Sequence, residues 1–271
     1  MKLSFATLGC PNWSLEHIGD EAKAMGYDGV ELRGIKGEHI GPGETPGELK
    51  RIRRIFDDRG LEIVCIMGYS RFTWAEGKQR KDEIAQVLTM LELAREVGCP
   101  ILRVFAGKMD GDDRRANIAR VVECLGTLAP MAGKLGVRMA LESHDDWCKG
   151  ENLSAVLQGV ENPALGICWD VANSYFVEPL EKTFEAIKDR LCHVHFKDAA
   201  KQGAKEISRL PGAGDVDLRR AMKILADAGY DGYLSFEWEK KWQPDLDEPE
   251  VAFPAYIHYV RGLMKQLPVR Q

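Results

Sequence analysis

The chain has 271 residues, of which 37 are Lys or Arg and 42 are Asp or Glu, giving a formal net charge of −5. That length is typical of one eight-unit βα barrel, and no run approaches the roughly 20 apolar residues a membrane span needs, so one domain over residues 1–271 with no membrane partner is expected. The acidic balance offers no general attraction to phosphate backbones, which argues against nucleic acid as a partner.

Short β-rich runs alternate with amphipathic segments from end to end. Residues 3–7 read as the first strand rather than a signal peptide, because the long apolar region and small-residue cleavage site are missing. A cytoplasmic protein is expected. A helix over 14–25, a strand over 29–33 and a helix over 46–59 ended by Gly60 follow. Next come a strand over 61–67, a helix over 76–97 ended by Gly98, a strand over 101–105 and a helix over 112–135 before Gly136. Glycine after the last periodic residue stops a helix because it accepts the left-handed conformation at little cost. Strands over 137–142, 165–170, 191–196 and 232–237 complete the set, separated and followed by helices over 152–160, 180–189, 217–228 and 250–266. Eight strands, each followed by a helical segment, predict an α/β protein with a single (β/α)8 TIM barrel rather than an open sheet. The repeat of Gly26-Tyr27-Asp28-Gly29 and Gly229-Tyr230-Asp231-Gly232 marks two αβ turns of the same chemistry. The stretches 34–47 and 240–249 read as βα loops over the barrel mouth. Seven cysteines, scattered with no C-x-x-C pair, argue against a disulfide framework or a zinc cluster.

Glu142, Asp170, His195 and Glu237 each fall at the C-terminal end of a different predicted strand. Alternate residues of a strand point to opposite faces. Leu165, Ile167 and Trp169 suit the layer under the helices, which turns Gly166, Cys168 and Asp170 inward. The same parity turns Ala140 and Glu142, His193 and His195, and Ser235 and Glu237 into the barrel. One polar residue at a strand end means little, since strands often finish in water. Three carboxylates converging on one mouth would repel strongly unless something positive lay between them. A divalent cation is the simplest answer, and three oxygen donors with one imidazole favour manganese first, with magnesium or cobalt possible, over a structural zinc site, although zinc is not excluded. His193 lies one layer deeper and reads as a core or supporting histidine, which leaves His195 as the ligand.

On these residues the chain resembles the sugar isomerase/epimerase superfamily of xylose isomerase-like barrels, nearly from end to end. The most specific segments are 26–33, Leu141-Glu142-Ser143-His144, Trp169-Asp170-Val171-Ala172-Asn173, His193-Val194-His195-Phe196-Lys197-Asp198, and Gly229-Tyr230-Asp231-Gly232 leading to Glu237. The resemblance implies one divalent metal on Glu142, Asp170, His195 and Glu237, with Glu142 and Glu237 also moving protons as catalytic residues. Such a site suits proton abstraction next to the carbonyl of a ketose or related polyol ketone through a metal-stabilised enediolate. Proton return to the opposite face gives epimerisation, return to the adjacent carbon gives isomerisation, and loss of a β-hydroxyl gives dehydration. Inosose dehydratase uses a similar site for the last of these. A sugar or cyclitol is the implied substrate.

Four further residues are candidate substrate contacts: His144, Asn173, Lys197 and Arg209. His144 either meets a substrate hydroxyl or is a solvated loop residue. Lys197 either neutralises an enolate or carboxylate or pairs with Asp198 at the surface. Arg209 resembles the position where ketose epimerases carry a substrate-binding arginine. Asn173 stands where those epimerases usually place a histidine, and asparagine cannot supply a proton near neutral pH, which leaves room for dehydratase chemistry. Asn12, Trp13, Tyr69, Phe72, Trp74 and Trp242 form a sugar-stacking wall or pack internally, and Glu31 and Arg33 form an internal ion pair or a polar substrate contact. Exposed mouth aromatics would also fit a homo-oligomer. Two rivals remain: an apurinic endonuclease, against which the acidic charge and only six histidines argue, and a non-catalytic sugar-binding barrel, against which the intact ligand set argues.

Overall fold

Each of the eight expected strands and eight expected helices forms, and the strands close on themselves. The computed structural model describes residues 1–35, 38–111, 113–203 and 205–267. In chain order the first half comprises β1 (Lys2–Ala6), α1 (Leu15–Met25), β2 (Gly29–Arg33), α2 (Pro46–Asp57), β3 (Glu62–Met67), α3 (Lys78–Glu96), β4 (Ile101–Val104) and α4 (Arg114–Leu135). The second comprises β5 (Arg138–Glu142), α5 (Gly150–Gly159), β6 (Leu165–Asp170), α6 (Val171–Tyr175), α7 (Leu180–Ile187), β7 (Leu191–His195), β8 (Asp198–Gln202), β9 (Lys205–Arg209), α8 (Leu218–Asp227), β10 (Tyr233–Phe236) and α9 (Pro249–Lys265). A closed parallel barrel runs in the order β1-β10-β7-β6-β5-β4-β3-β2.

Local chemistry sets the helix ends. Ser14 accepts the His17 N–H at 3.2 Å to start α1, and Gly26 closes it at φ 83°. Thr45 and Glu48 form a reciprocal capping box on α2, with Pro46 in the first turn. The expected start of α4 at residue 112 lies outside the described residues; Asp113 caps that helix by accepting the Ala116 N–H at 3.0 Å. Residues 36 and 37 of the expected mouth loop 34–47 also lie outside them.

Two elements depart from the expected pattern. The loop after β7 contains an antiparallel hairpin, β8 with β9, in which Asp198 pairs with Arg209. Its sequence is mostly charged, small and polar, with Ile207 its only β-branched residue, so propensity gives no strand signal. Asp198 anchors the segment that follows by accepting the backbone N–H of Gly212 and Gly214 at 2.8 and 3.0 Å and of Val216 at 3.2 Å. A Cβ at position 214 would fall 2.2 Å from Asp198 Oδ1, which requires glycine there. The second departure is α6, a short helix begun by Asp170, whose Oδ1 accepts the Asn173 N–H at 2.9 Å.

Barrel closure is sealed on its outer face by aromatics. Phe253 on α9 stacks on Phe5 of β1 with centroids 4.1 Å apart, and Tyr256 stacks on Phe236 of β10 at 4.4 Å. The hydroxyls of Tyr27 and Tyr256 are satisfied: Tyr27 donates to the Phe253 carbonyl at 2.8 Å and Tyr256 to the Leu234 carbonyl at 3.1 Å. The last helix thus ties the first strand to the last. Phe253→Ala should therefore cost about 3–5 kcal/mol, read from equilibrium urea unfolding; a loss below about 1 kcal/mol would show that closure does not depend on this ring.

Candidate metal centre

Parallel register brings the four expected ligands together. Glu142 ends β5, Asp170 ends β6, His195 ends β7 and Glu237 directly follows β10. Asp170 pairs with His195, and His195 with Ser235, two residues before Glu237. All four side chains are buried, and each offers a ligand atom within 4.8 Å of the others. His195 Nδ1 stands 3.5 Å from Glu142 Oε1, 3.5 Å from Glu237 Oε2 and 3.9 Å from Asp170 Oδ2. Both Glu142 oxygens and His195 Nδ1 make no hydrogen bond among the described residues. Leaving buried acceptors unsatisfied is costly, and one cation among these atoms would satisfy them together. The donor set fits a divalent ion.

Glu31 on β2 holds the imidazole in place. Its Oε1 accepts from His195 Nε2 at 3.2 Å and its Oε2 from His193 Nε2 at 3.1 Å, while the Ser235 hydroxyl donates to Oε2 at 2.7 Å. A carboxylate only accepts, so Nε2 of His195 carries a proton and Nδ1 is the nitrogen turned to the cluster. Burial pushes the Glu31 carboxyl up, but His195 and His193 together hold it well below the usual carboxylate range. The barrel register shifts between Val30 and Glu31, a local irregularity of the kind that re-aims a side chain. Expectation and structure differ here: Glu31 is not paired with Arg33, which instead forms an ion pair with Glu38 and a 3.2 Å hydrogen bond to the Tyr69 hydroxyl. His193, read as a core or supporting histidine, lies buried against the same carboxylate.

Two buried cations face the carboxylates. Lys197 Nζ lies 2.6 Å from Glu237 Oε2, 3.0 Å from Asp170 Oδ2 and 2.6 Å from Glu239 Oε1. It is no surface partner of Asp198, because adjacent residues on an extended chain point to opposite sides. Burial opposes its charge, but Asp170, Glu237 and Glu239 hold the ammonium well above its ordinary value. Arg103 on β4 places Nη1 3.2 Å from Glu142 Oε2. These neighbours divide the carboxylates: burial raises Glu142, yet Arg103 and His195 bring it down to about 2. Burial with the charges of Glu237 and Glu142 raises Asp170 to about 6 despite Lys197. Sequence reading missed Arg103 and Glu239; a charged residue at the inward parity of a central strand was the available signal for Arg103.

The other expected contacts separate. His144 lies half-buried past β5, its ring 4.4 Å from Phe105 and Nδ1 3.0 Å from Asp145 Oδ2. Burial would lower its pKa, but Asp145 and Glu142 raise it. The Asn173 side-chain amide donates to the Ser143 carbonyl at 3.2 Å. Arg209, at the end of β9, donates to the Ser208 carbonyl at 3.2 Å. Of the aromatics, Phe72 is fully buried and Trp13 packs on Phe253 at 5.8 Å, whereas Trp242 is 55% exposed.

Residues 20–255 match the family described as xylose isomerase-like TIM barrel. The chain belongs to this family. By sequence, the fructoselysine 3-epimerase of Shigella flexneri is 25% identical over 98% of this chain and 99% of that protein. The inosose dehydratase of Klebsiella pneumoniae subsp. pneumoniae is 24% identical over 97% of this chain and 98% of that protein. Both relatives are enzymes. Among solved structures, the IolI protein with a bound zinc atom has a TM-score of 0.84 at 18% identity, covering 99% of this chain and 100% of that one, a likeness of fold. Among the described residues, no helix of this xylose isomerase-like barrel is long and apolar enough to cross a membrane.

Two outcomes follow from the centre. Glu31→Gln should weaken divalent-metal binding about 10- to 100-fold while the far-ultraviolet circular dichroism stays unchanged; unaltered affinity in calorimetric titration would remove Glu31 as the orienting group. A metal held here would also displace protons, because burial raises Asp170 to about 6 and His195 is raised well above its ordinary value: burial lowers it, but Cys168, Glu237 and Glu31 outweigh that. Only the deprotonated forms coordinate, so affinity should rise with pH, more steeply below about 6, where Asp170 and His195 both give up a proton, than above it, where His195 alone does, by roughly tenfold per unit for each proton displaced. Affinity independent of pH would contradict this electrostatic picture.

Proposed function

We propose that this chain is a divalent-metal-dependent isomerase or epimerase acting on a ketose or related polyol ketone, a sugar or cyclitol, by proton abstraction next to the carbonyl. The observation that carries the reading is the convergence of Glu142, Asp170, His195 and Glu237, with ligand atoms within 4.8 Å, on an imidazole nitrogen and carboxylate oxygens left without hydrogen bonds. Manganese suits three oxygens and one nitrogen best, with magnesium, cobalt or zinc as alternatives. A divalent cation held there supplies Lewis acidity to the carbonyl oxygen, which makes the neighbouring carbon more acidic.

This chain's own residues handle the proton. Glu142, held ionised by Arg103, serves as the base. Glu237 returns a proton taken up from solvent while Glu142 releases its own to solvent, which resets the pair, and the Lys197 ammonium stays charged 2.6 Å from Glu237. His144, Asn173 and Arg209 complete the mouth as hydroxyl contacts, and Lys197 also opposes negative charge on the substrate oxygen. Dehydration is the second reading. An ammonium held against Glu237 can protonate a departing β-hydroxyl, and an inosose dehydratase is among the relatives.

The test is metal content and solvent exchange in one preparation. About one metal per chain is expected, lost in folded Asp170→Ala and His195→Ala variants. The manganese-loaded protein, given keto sugars and inososes in deuterium oxide, should place deuterium on a carbon next to the carbonyl; loss of water instead would select the dehydratase. A bound sugar with neither exchange nor water loss would make the chain a binding barrel, and no metal in the wild type would sink the mechanism.

A further inference from the structure

The mouth holds two arginines that the proton chemistry leaves largely unused. Arg33 ends β2 and Arg103 sits in β4, with side chains 0% and 1% exposed. Arg33 Nη1 faces Glu38 and Arg103 Nη1 faces Glu142, but Arg33 Nη2 and Arg103 Nε make no hydrogen bond among the described residues. Both guanidiniums flank one ring, their central carbons 5.9 and 4.9 Å from the centroid of Tyr69. Trp242 lies 5.2 Å from Arg33, and Phe105 lies 3.9 Å from Arg103. Aromatic faces support the planar cations but accept no in-plane N–H bond, and the Tyr69 hydroxyl accepts from Arg33 Nε alone, at 3.2 Å.

Their existing counter-charges are shared. Glu38 pairs with Arg33 but also lies 3.6 Å from Lys241 Nζ. Arg103 has Glu142, which the proposed metal would also claim. With a cation on Glu142, this side of the mouth carries more fixed positive than negative charge and has buried N–H groups without acceptors. A neutral hydroxyl offers too few lone pairs to satisfy two forks. A carboxylate or phosphate offers them in matching geometry, with charge-assisted bonds.

We infer that the substrate carries an oxyanion, carboxylate or phosphate, gripped by Arg33 and Arg103 while its ketone end faces the four ligands. This deepens, and rests on, the proposed sugar or cyclitol reading. The acidic half of the mouth takes the reacting carbons, and the arginine half sets which substrates enter.

Three six-carbon probes without a ketone test it: D-glucitol, D-gluconate and D-glucitol 6-phosphate, titrated calorimetrically into the manganese-loaded protein. At least one charged probe should bind about tenfold or more tightly than glucitol, equivalent to about 1.4 kcal/mol. The better charged probe assigns the oxyanion. The preference should vanish in Arg33→Gln and Arg103→Gln and fall part-way in Arg33→Lys, which keeps the charge but not the fork. Circular dichroism checks folding, and Arg33→Lys serves where a Gln variant does not fold. Equal binding of all three probes, no binding of either charged probe, or a preference unchanged in the arginine variants would overturn the inference. Metal content of the same samples separates the two readings. One metal per chain without charge preference removes the anion site alone, whereas absence of metal removes the metal reading, and the Arg33-dependent preference is then read on the metal-free protein.

Discussion

Mutual repulsion among buried carboxylates is the constraint around which this barrel is built. Two unit charges about 4 Å apart repel by roughly 4 kcal/mol at an effective dielectric near 20, and Glu142, Asp170 and Glu237 meet at the mouth with Glu239 close behind. Such a cluster persists only if positive charge is distributed through it. Lys197 answers Asp170, Glu237 and Glu239, and Arg103 answers Glu142. The same arrangement explains why neighbouring carboxyls differ, with Glu142 drawn down to about 2 and Asp170 left near 6.

Rigidity at the centre comes from the barrel rather than from its loops. Strand register puts Asp170 beside His195, and the opposite wall supplies Glu31, which bonds His193, His195 and Ser235 at once. One carboxylate thereby links β2, β7 and β10 across the interior. His195 is left with a single orientation, its Nδ1 toward the cluster, and a preset donor geometry lowers the reorganisation that metal capture would need. The aromatic seal formed by Phe5, Phe236, Phe253 and Tyr256 matters to the site for the same reason, because it fixes β1 against β10.

The mouth is electrically divided. Carboxylates and Lys197 gather over β5, β6, β7 and the end of β10, while Arg33 and Arg103 with their aromatic neighbours gather over β2 and β4. The hairpin of β8 and β9 stands beyond β7, where Asp198 anchors the chain that follows it. Lys197 turns into the cluster, and its neighbour Asp198 turns out to build that wall. Two adjacent charged residues thus serve separate tasks by pointing to opposite sides of the chain between β7 and β8.

Much of this was readable in the amino-acid order. Hydrophobic periodicity and glycine stops determined the eight βα units, and side-chain parity turned Glu142, Asp170, His195 and Glu237 inward, because both are local properties of a strand or helix. The hairpin was hidden because Asp198–Gln202 and Lys205–Arg209 carry little strand propensity and pair only with each other. Arg103 was overlooked within an apolar strand, and Glu31 was matched to its sequence neighbour Arg33 instead of to histidines more than 160 residues away. Parity says that a side chain enters the barrel; it does not say which one it meets there. That choice belongs to register and closure, which bring distant strands to within hydrogen-bonding distance and so decide which charges pair and which N–H groups remain free.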